Sequence, residues 1–223
     1  MTTRETDRRL LRFVGGRLCL DFVNTMGNYH DPTRRSDYLA DYADLVAWGE
    51  LAGALEPTQA AVLLRVAASS PAEAAAVLTR ARELRQAIRE VTLAAWQGQP
   101  APATDLATLN TFVTEHFTPM QLVPIGSAYA LERGGDPAAL DAVLWPIVRS
   151  AVELLTSEEL GRVKECEDDA CGWLFVDASR GSRRRWCAMD DCGNVAKARR
   201  HRARARDVDL QHVSIAPRAT ADR

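Results

Sequence analysis

Four of the chain's five cysteines form two matched pairs, Cys166 with Cys171 and Cys187 with Cys192. Four residues separate the members of each pair and fifteen separate the pairs. Thiolate pairs at such spacing build a tetrahedral zinc site, with Zn–S bonds of about 2.3 Å and no position left open. The neighbours are surface residues: Glu165, Glu167, Asp168 and Asp169 flank Cys166, and Asp191 and Gly193 flank Cys192. That argues against four ordinary core thiols. The first residues, Met1 to Arg9, lack the apolar run of an export signal, and no stretch approaches the roughly 18 apolar residues of a membrane span. A reducing, cytoplasmic setting is therefore expected, where paired cysteines hold metal rather than form bridges. His201 is a rival ligand, but using it would leave one thiolate idle.

The second chemical feature is charge. From Arg180 to Arg206 the chain carries ten Lys/Arg against two acids, a net +8, while the whole chain is −2 and the remainder therefore −10. A charge run is usually a solvated helix face. This one lacks the acids at i+4 that such a face normally carries, so it reads as a phosphate-binding surface, with DNA and RNA not separable by charge. The candidate contacts are Arg183, Arg184, Arg185, Lys197, Arg199, Arg200 and Arg204. On a helix, Lys197, Arg200 and Arg204 share one side. Five phosphate contacts (183, 184, 197, 200 and 204) would give a log–log salt slope of about −4.5.

The pattern Cys166-x4-Cys171-Gly-Trp-Leu-Phe-x-Asp177, followed by Arg185-Trp-Cys187-x4-Cys192-Gly-Asn-x-Ala-Lys, resembles the CGNR-type zinc finger. Leu20-Asp-Phe-Val-Asn-Thr25, Leu39-Ala-Asp-Tyr-Ala-Asp-Leu-Val-Ala-Trp48 and a long helix ending in Trp resemble the ABATE-type domain of stress-induced transcription regulators. The resemblances span about residues 12–206 and imply a zinc-dependent DNA-binding regulator. One departure stands out: the motif's arginine is Val195 here.

The elements that position these residues are expected to be mainly α. A helical domain over 1–163 with a small β-hairpin precedes a treble-clef-like four-cysteine finger over 164–206 and a mobile tail over 207–223. Ser36 should cap a helix reaching Gly53, and Glu56-Pro-Thr should begin another. Ser70-Pro-Ala-Glu reads as a capping box opening the longest helix, to about Trp96. Residues 120–132 read as a hairpin, and Asp136-Pro as the cap of a further helix. In the finger, Trp173–Asp177 is expected to pair with a returning strand at Arg184–Cys187, and loss of Cys171 to unfold residues 166–206 alone.

Asp21 and Asn24 interrupt an apolar segment. They either satisfy local backbone groups or, with Trp48, line a pocket for a small-molecule effector. No phosphate loop, metalloprotease helix or nucleophile elbow is present, so a binding protein rather than an enzyme is expected. The alternative is an enzyme or small-molecule-binding protein whose finger is purely structural, its basic helix resting on the acidic remainder.

Overall fold

A proline at the first helical position and a long 3.6-residue apolar period fix the longest element, the helix Pro71–Trp96. A computed structural model describes residues 12–202. In it α1 is Leu18–Val23, α2 Tyr42–Leu51, α3 Pro57–Ser69, α4 Pro71–Trp96, α5 Ala103–Phe117 and α6 Trp145–Leu155, with a last helix, α7, over 194–202. Three antiparallel strand pairs accompany them: β1 (Met26–Gly27) with β2 (Ser36–Asp37), β3 (Met120–Ile125) with β4 (Ala128–Arg133), and β5 (Val163–Glu165) with β6 (Leu174–Val176). The expected tail and the basic positions 203–206, Arg204 among them, lie outside the described residues.

Val77, Leu78, Ala81, Leu84, Ile88 and Val91 of α4 are all buried, and α1, α2, α3 and α5 pack around this helix. Six residues are too few for a helix to persist alone. The α1 helix exists because Cys19, Leu20, Phe22 and Val23 are buried against α4 and α6, with Phe22 5.2 Å from the Trp48 ring. Burial pushes the Cys19 thiol up to about 12, so it behaves as a core residue.

Two helix starts differ from the expected ones, and a third falls where expected but lacks the expected cap. Ser36 lies in β2, and α2 begins only at Tyr42, under a reciprocal capping box of Asp41 and Asp44. Tertiary pairing decides this: Asp37 is drawn to Arg85 of α4 at 2.5 and 2.7 Å and also accepts the Leu39 N–H, which holds the segment extended. Ser70 does precede α4, but its side chain makes no cap. The α3 helix ends on the same residue, whose N–H donates to Val66 and whose C=O accepts from Ala74, and the two helices meet at a 120° bend. Asp136 caps a turn through the Ala138 N–H, and the chain re-enters helix through a 3-10 turn at Leu140–Leu144. No single described helix is long and apolar enough to cross a membrane.

Candidate zinc centre

The first cysteine pair sits in the tip of the β5–β6 hairpin, where Glu165 pairs with Leu174 and the chain between them forms a metal knuckle. The strand partner of 174–176 is thus 163–165, not the expected 184–187. Asp177 explains the difference. Its buried carboxylate accepts from the Lys164 ammonium at 2.7 Å and from the Ser179 and Arg184 N–H groups at 2.9 Å each. Despite desolvation, these donors hold its acid well below the usual carboxylate range. The returning chain is captured by this side chain and by the Glu167 N–H on the Arg185 carbonyl, rather than by a ladder. The second pair follows: Cys187, a wide turn over Met189–Gly193 that carries Cys192, and then α7.

The four sulfurs lie within 4.8 Å of one another and all four residues are buried. Cys187 Sγ is 3.7 Å from Cys171 Sγ and 3.6 Å from Cys192 Sγ. A tetrahedron with Zn–S bonds of about 2.3 Å has edges of about 3.8 Å, so the donor set fits zinc. Disulfides, at about 2.05 Å, are absent among the described residues. Without a cation such a cluster holds little negative charge. Hydrogen bonds from Cys171, Cys187 and Cys192 push the Cys166 thiol down, and the bond to Cys166 pushes Cys171 up. Zinc supplies the charge that lets all four ionise and cross-links them, and four sulfurs leave no site for an activated water.

The finger is mounted on the helical domain by shared core and by polar clamps. Val163, Leu174 and Val176 belong to the same apolar cluster as α1, α2 and α4. Asn24, at the end of α1, offers its carboxamide like a strand edge: Oδ1 accepts the Leu174 N–H and Nδ2 donates to the Leu174 C=O, both at 2.9 Å. The N–H groups of Tyr29 and His30 donate to the knuckle carbonyls of Cys171 and Ala170, and the Trp173 indole donates to Met26. Arg89 of α4 completes the joint. It donates to the Gly172 carbonyl at 2.6 Å, pairs with Glu165 at 2.8 Å and stacks 3.8 Å over Tyr29. Arg85, one turn earlier, bonds Thr25 and Asp37. Sequence reasoning missed both arginines. The available signal was a pair of cations at i and i+4 on the apolar face of α4, without an acid beside them on that face.

The pocket candidates and the cationic candidates separate clearly. Asp21 accepts the N–H of Gly15 at 2.8 Å, and burial raises its acid to about 6 against the backbone donors. Asn24 is 2% exposed and committed to Leu174, and Trp48 is 1% exposed in the core. None of the three lines the cleft of about 450 Å³ that lies beside the zinc centre. Arg184 leaves the set of phosphate contacts. Its guanidinium donates to the carbonyls of Val14, Trp186 and Cys187 and lies 4.1 Å over Phe175. Arg185 pairs with Glu167, and Arg199 with Asp169, in exposed ion pairs. Arg183, Lys197 and Arg200 are exposed and have no acidic partner among the described residues. Val195, at the start of α7, is half-exposed and faces the cleft.

A family profile described as "ABATE: Putative stress-induced transcription regulator" matches residues 16–158, and a CGNR zinc finger profile matches residues 162–205. No curated protein matches the chain. The first profile ends just before β5, and the second covers the knuckles and the basic helix. With most of its length under the first profile, this chain belongs to the ABATE family and carries a CGNR zinc finger.

Proposed function

We propose that the zinc-loaded protein binds nucleic acid, duplex DNA in the control of transcription, from the cytoplasm and without a catalytic role. The observation that carries this reading is the set of unpaired cations on the finger's outer surface. Lys197 and Arg200 lie one turn apart on α7, and Arg202 is also exposed there. Trp186 sits between Arg185, 5.0 Å above its ring, and Arg200 at 5.9 Å, which brings the loop arginines alongside α7. A helix resting on the acidic remainder of its own chain would have spent these charges. The bonds of Arg185 and Arg199 to exposed carboxylates are worth little in water, so phosphates can compete for both.

Four free cations, Arg183, Lys197, Arg200 and Arg202, correspond to a salt slope of about −3.6, which steepens to about −5.4 where phosphates also displace the carboxylates on Arg185 and Arg199. The test is fluorescence anisotropy of a labelled duplex with zinc-loaded full chain at several salt concentrations. A triple variant, Lys197→Ala, Arg200→Ala and Arg202→Ala, should keep its zinc and flatten the slope by about 2.7. Equal affinity of the two proteins, or no binding by the wild type at low salt, would favour a structural finger. A single-stranded RNA competitor separates RNA from DNA.

A further inference from the structure

The β3–β4 hairpin stands out from the helical domain: none of its described residues is buried. A two-residue turn, Gly126-Ser127, with Gly126 at φ +60°, fixes its register. Across the ladder Leu122 faces Leu131, and Pro124 faces Tyr129. Side chains alternate along a strand, so these four share one face of the hairpin. Leu122 is 70% exposed, Tyr129 72% and Leu131 45%, and Pro124 is exposed beside them. No charge lies among the four. A lone two-stranded hairpin is marginal in water and gains stability by burying an apolar face against a further element. No described element covers this one.

We infer that the hairpin is a homodimerisation arm whose apolar face packs, sheet on sheet, against the same face of a second copy. Three observations favour a second copy as the occupant. The face is self-complementary: a two-fold axis parallel to the ladder hydrogen bonds lays Leu131 of each copy on the Tyr129 ring of the other, and Leu122 on Pro124. One operation fills both rows, which is the isologous contact of a closed dimer. Pro124 removes an N–H from β3, an edge strand, which counts against strand addition on that side and favours contact through the face. The area also fits. With about 150–250 Å² for a fully accessible large side chain, the four expose roughly 400 Å² per copy. Two such faces bury about 800 Å² in total, at the lower boundary of specific contacts, which sets a weak, reversible dimer. The arm belongs to the helical domain, so association needs no nucleic acid.

The experiment is sedimentation equilibrium of the zinc-loaded full chain, free of nucleic acid, from about 5 to 500 μM, around an expected Kd of about 10–100 μM. The mass should rise from that of one chain toward that of two. Leu122→Lys and Tyr129→Lys each place two unpaired ammonium groups in the contact, and each should weaken association at least tenfold. Ala128→Lys, also exposed but on the hairpin's opposite face, should leave it unchanged. Circular dichroism checks that each variant is folded, and if one of the two face variants unfolds the other decides. Association of the wild type, lost on the apolar face and kept in Ala128→Lys, supports the arm. A monomer across the whole range, as when the chain's own tail or a different protein covers the face, overturns it. So does a dimer indifferent to both face variants, or one weakened equally by Ala128→Lys.

Discussion

Replacing Asn24 with alanine isolates the joint between helical domain and finger. The side chain makes two hydrogen bonds of 2.9 Å to the backbone of Leu174, a residue that is 0% exposed. Alanine would leave a buried N–H and a buried C=O without partners, each costing about 1–3 kcal/mol. The expected loss is about 3 kcal/mol, because the alanine methyl offers neither buried group a partner. With a urea m-value of about 2 kcal/mol/M, the midpoint should fall by about 1.5 M. The assay is urea unfolding of the zinc-loaded full chain, followed in parallel by far-ultraviolet circular dichroism and by zinc release to a chromogenic chelator. Because Leu174, Val163 and Val176 share the core of α1 and α4, both signals should shift together. A loss below about 1 kcal/mol, or zinc release moving while the helical signal stays in place, would refute the clamp. The same coupling applies to Cys171→Ser, which should now destabilise the helical domain as well as the finger.

Arg184→Ala should lower stability by about 2 kcal/mol in thermal unfolding, since it strips three part-buried carbonyls of their donor and Phe175 of its cation, whereas Arg183→Ala should leave the transition in place and weaken only duplex binding. Asp21 gives a pH signature: burial raises its acid to about 6, against an ordinary value of 3.8. The folded form then holds the proton more tightly, so this group's contribution to stability is greatest below about pH 4 and is lost as pH rises through 6. Relative to Asp21→Asn, the wild type should therefore lose about 1.5 kcal/mol between pH 5 and 7.5, and parallel stability curves for the two proteins would count against a buried acid. Gly172 has φ +67°, and a Cβ there would sit 2.7 Å from the Tyr29 Cβ. Gly172→Ala should accordingly weaken zinc retention against a competing chelator, and unchanged retention would show that the joint tolerates displacement.

The metal ligands were legible because four identical donors at matched spacing encode one geometry, whatever surrounds them. The long α4 helix and the β3–β4 hairpin were legible too, since proline, periodicity and turn residues act locally. What escaped was long-range. Arg184 looks like any other arginine of a basic run, yet one of its acceptors is the Val14 carbonyl, 170 residues away. Ser36 and Asp41 are equally good caps by residue type, and the ion pair of Asp37 with Arg85 chooses between them. Asp21 and Asn24 are polar groups that need partners, and both find them in backbone groups. Asn24's partner lies in the finger, so a local reading could place it only between a backbone role and a pocket.

The sequence distance across the Asn24 clamp also has a consequence in time. Asn24 and Leu174 are separated by 150 positions. At 5–20 residues per second, synthesis delivers the second about 8–30 s after the first. Through that interval the end of α1 presents an unpaired carboxamide, and the apolar face that will receive Val163, Leu174 and Val176 stays open. Contacts this distant are slow to close even in a completed chain. The four zinc ligands emerge still later than Val163, so zinc uptake falls late in biogenesis. Starved of zinc, a finished chain would present quality-control proteases with much the same open edge as one still on the ribosome.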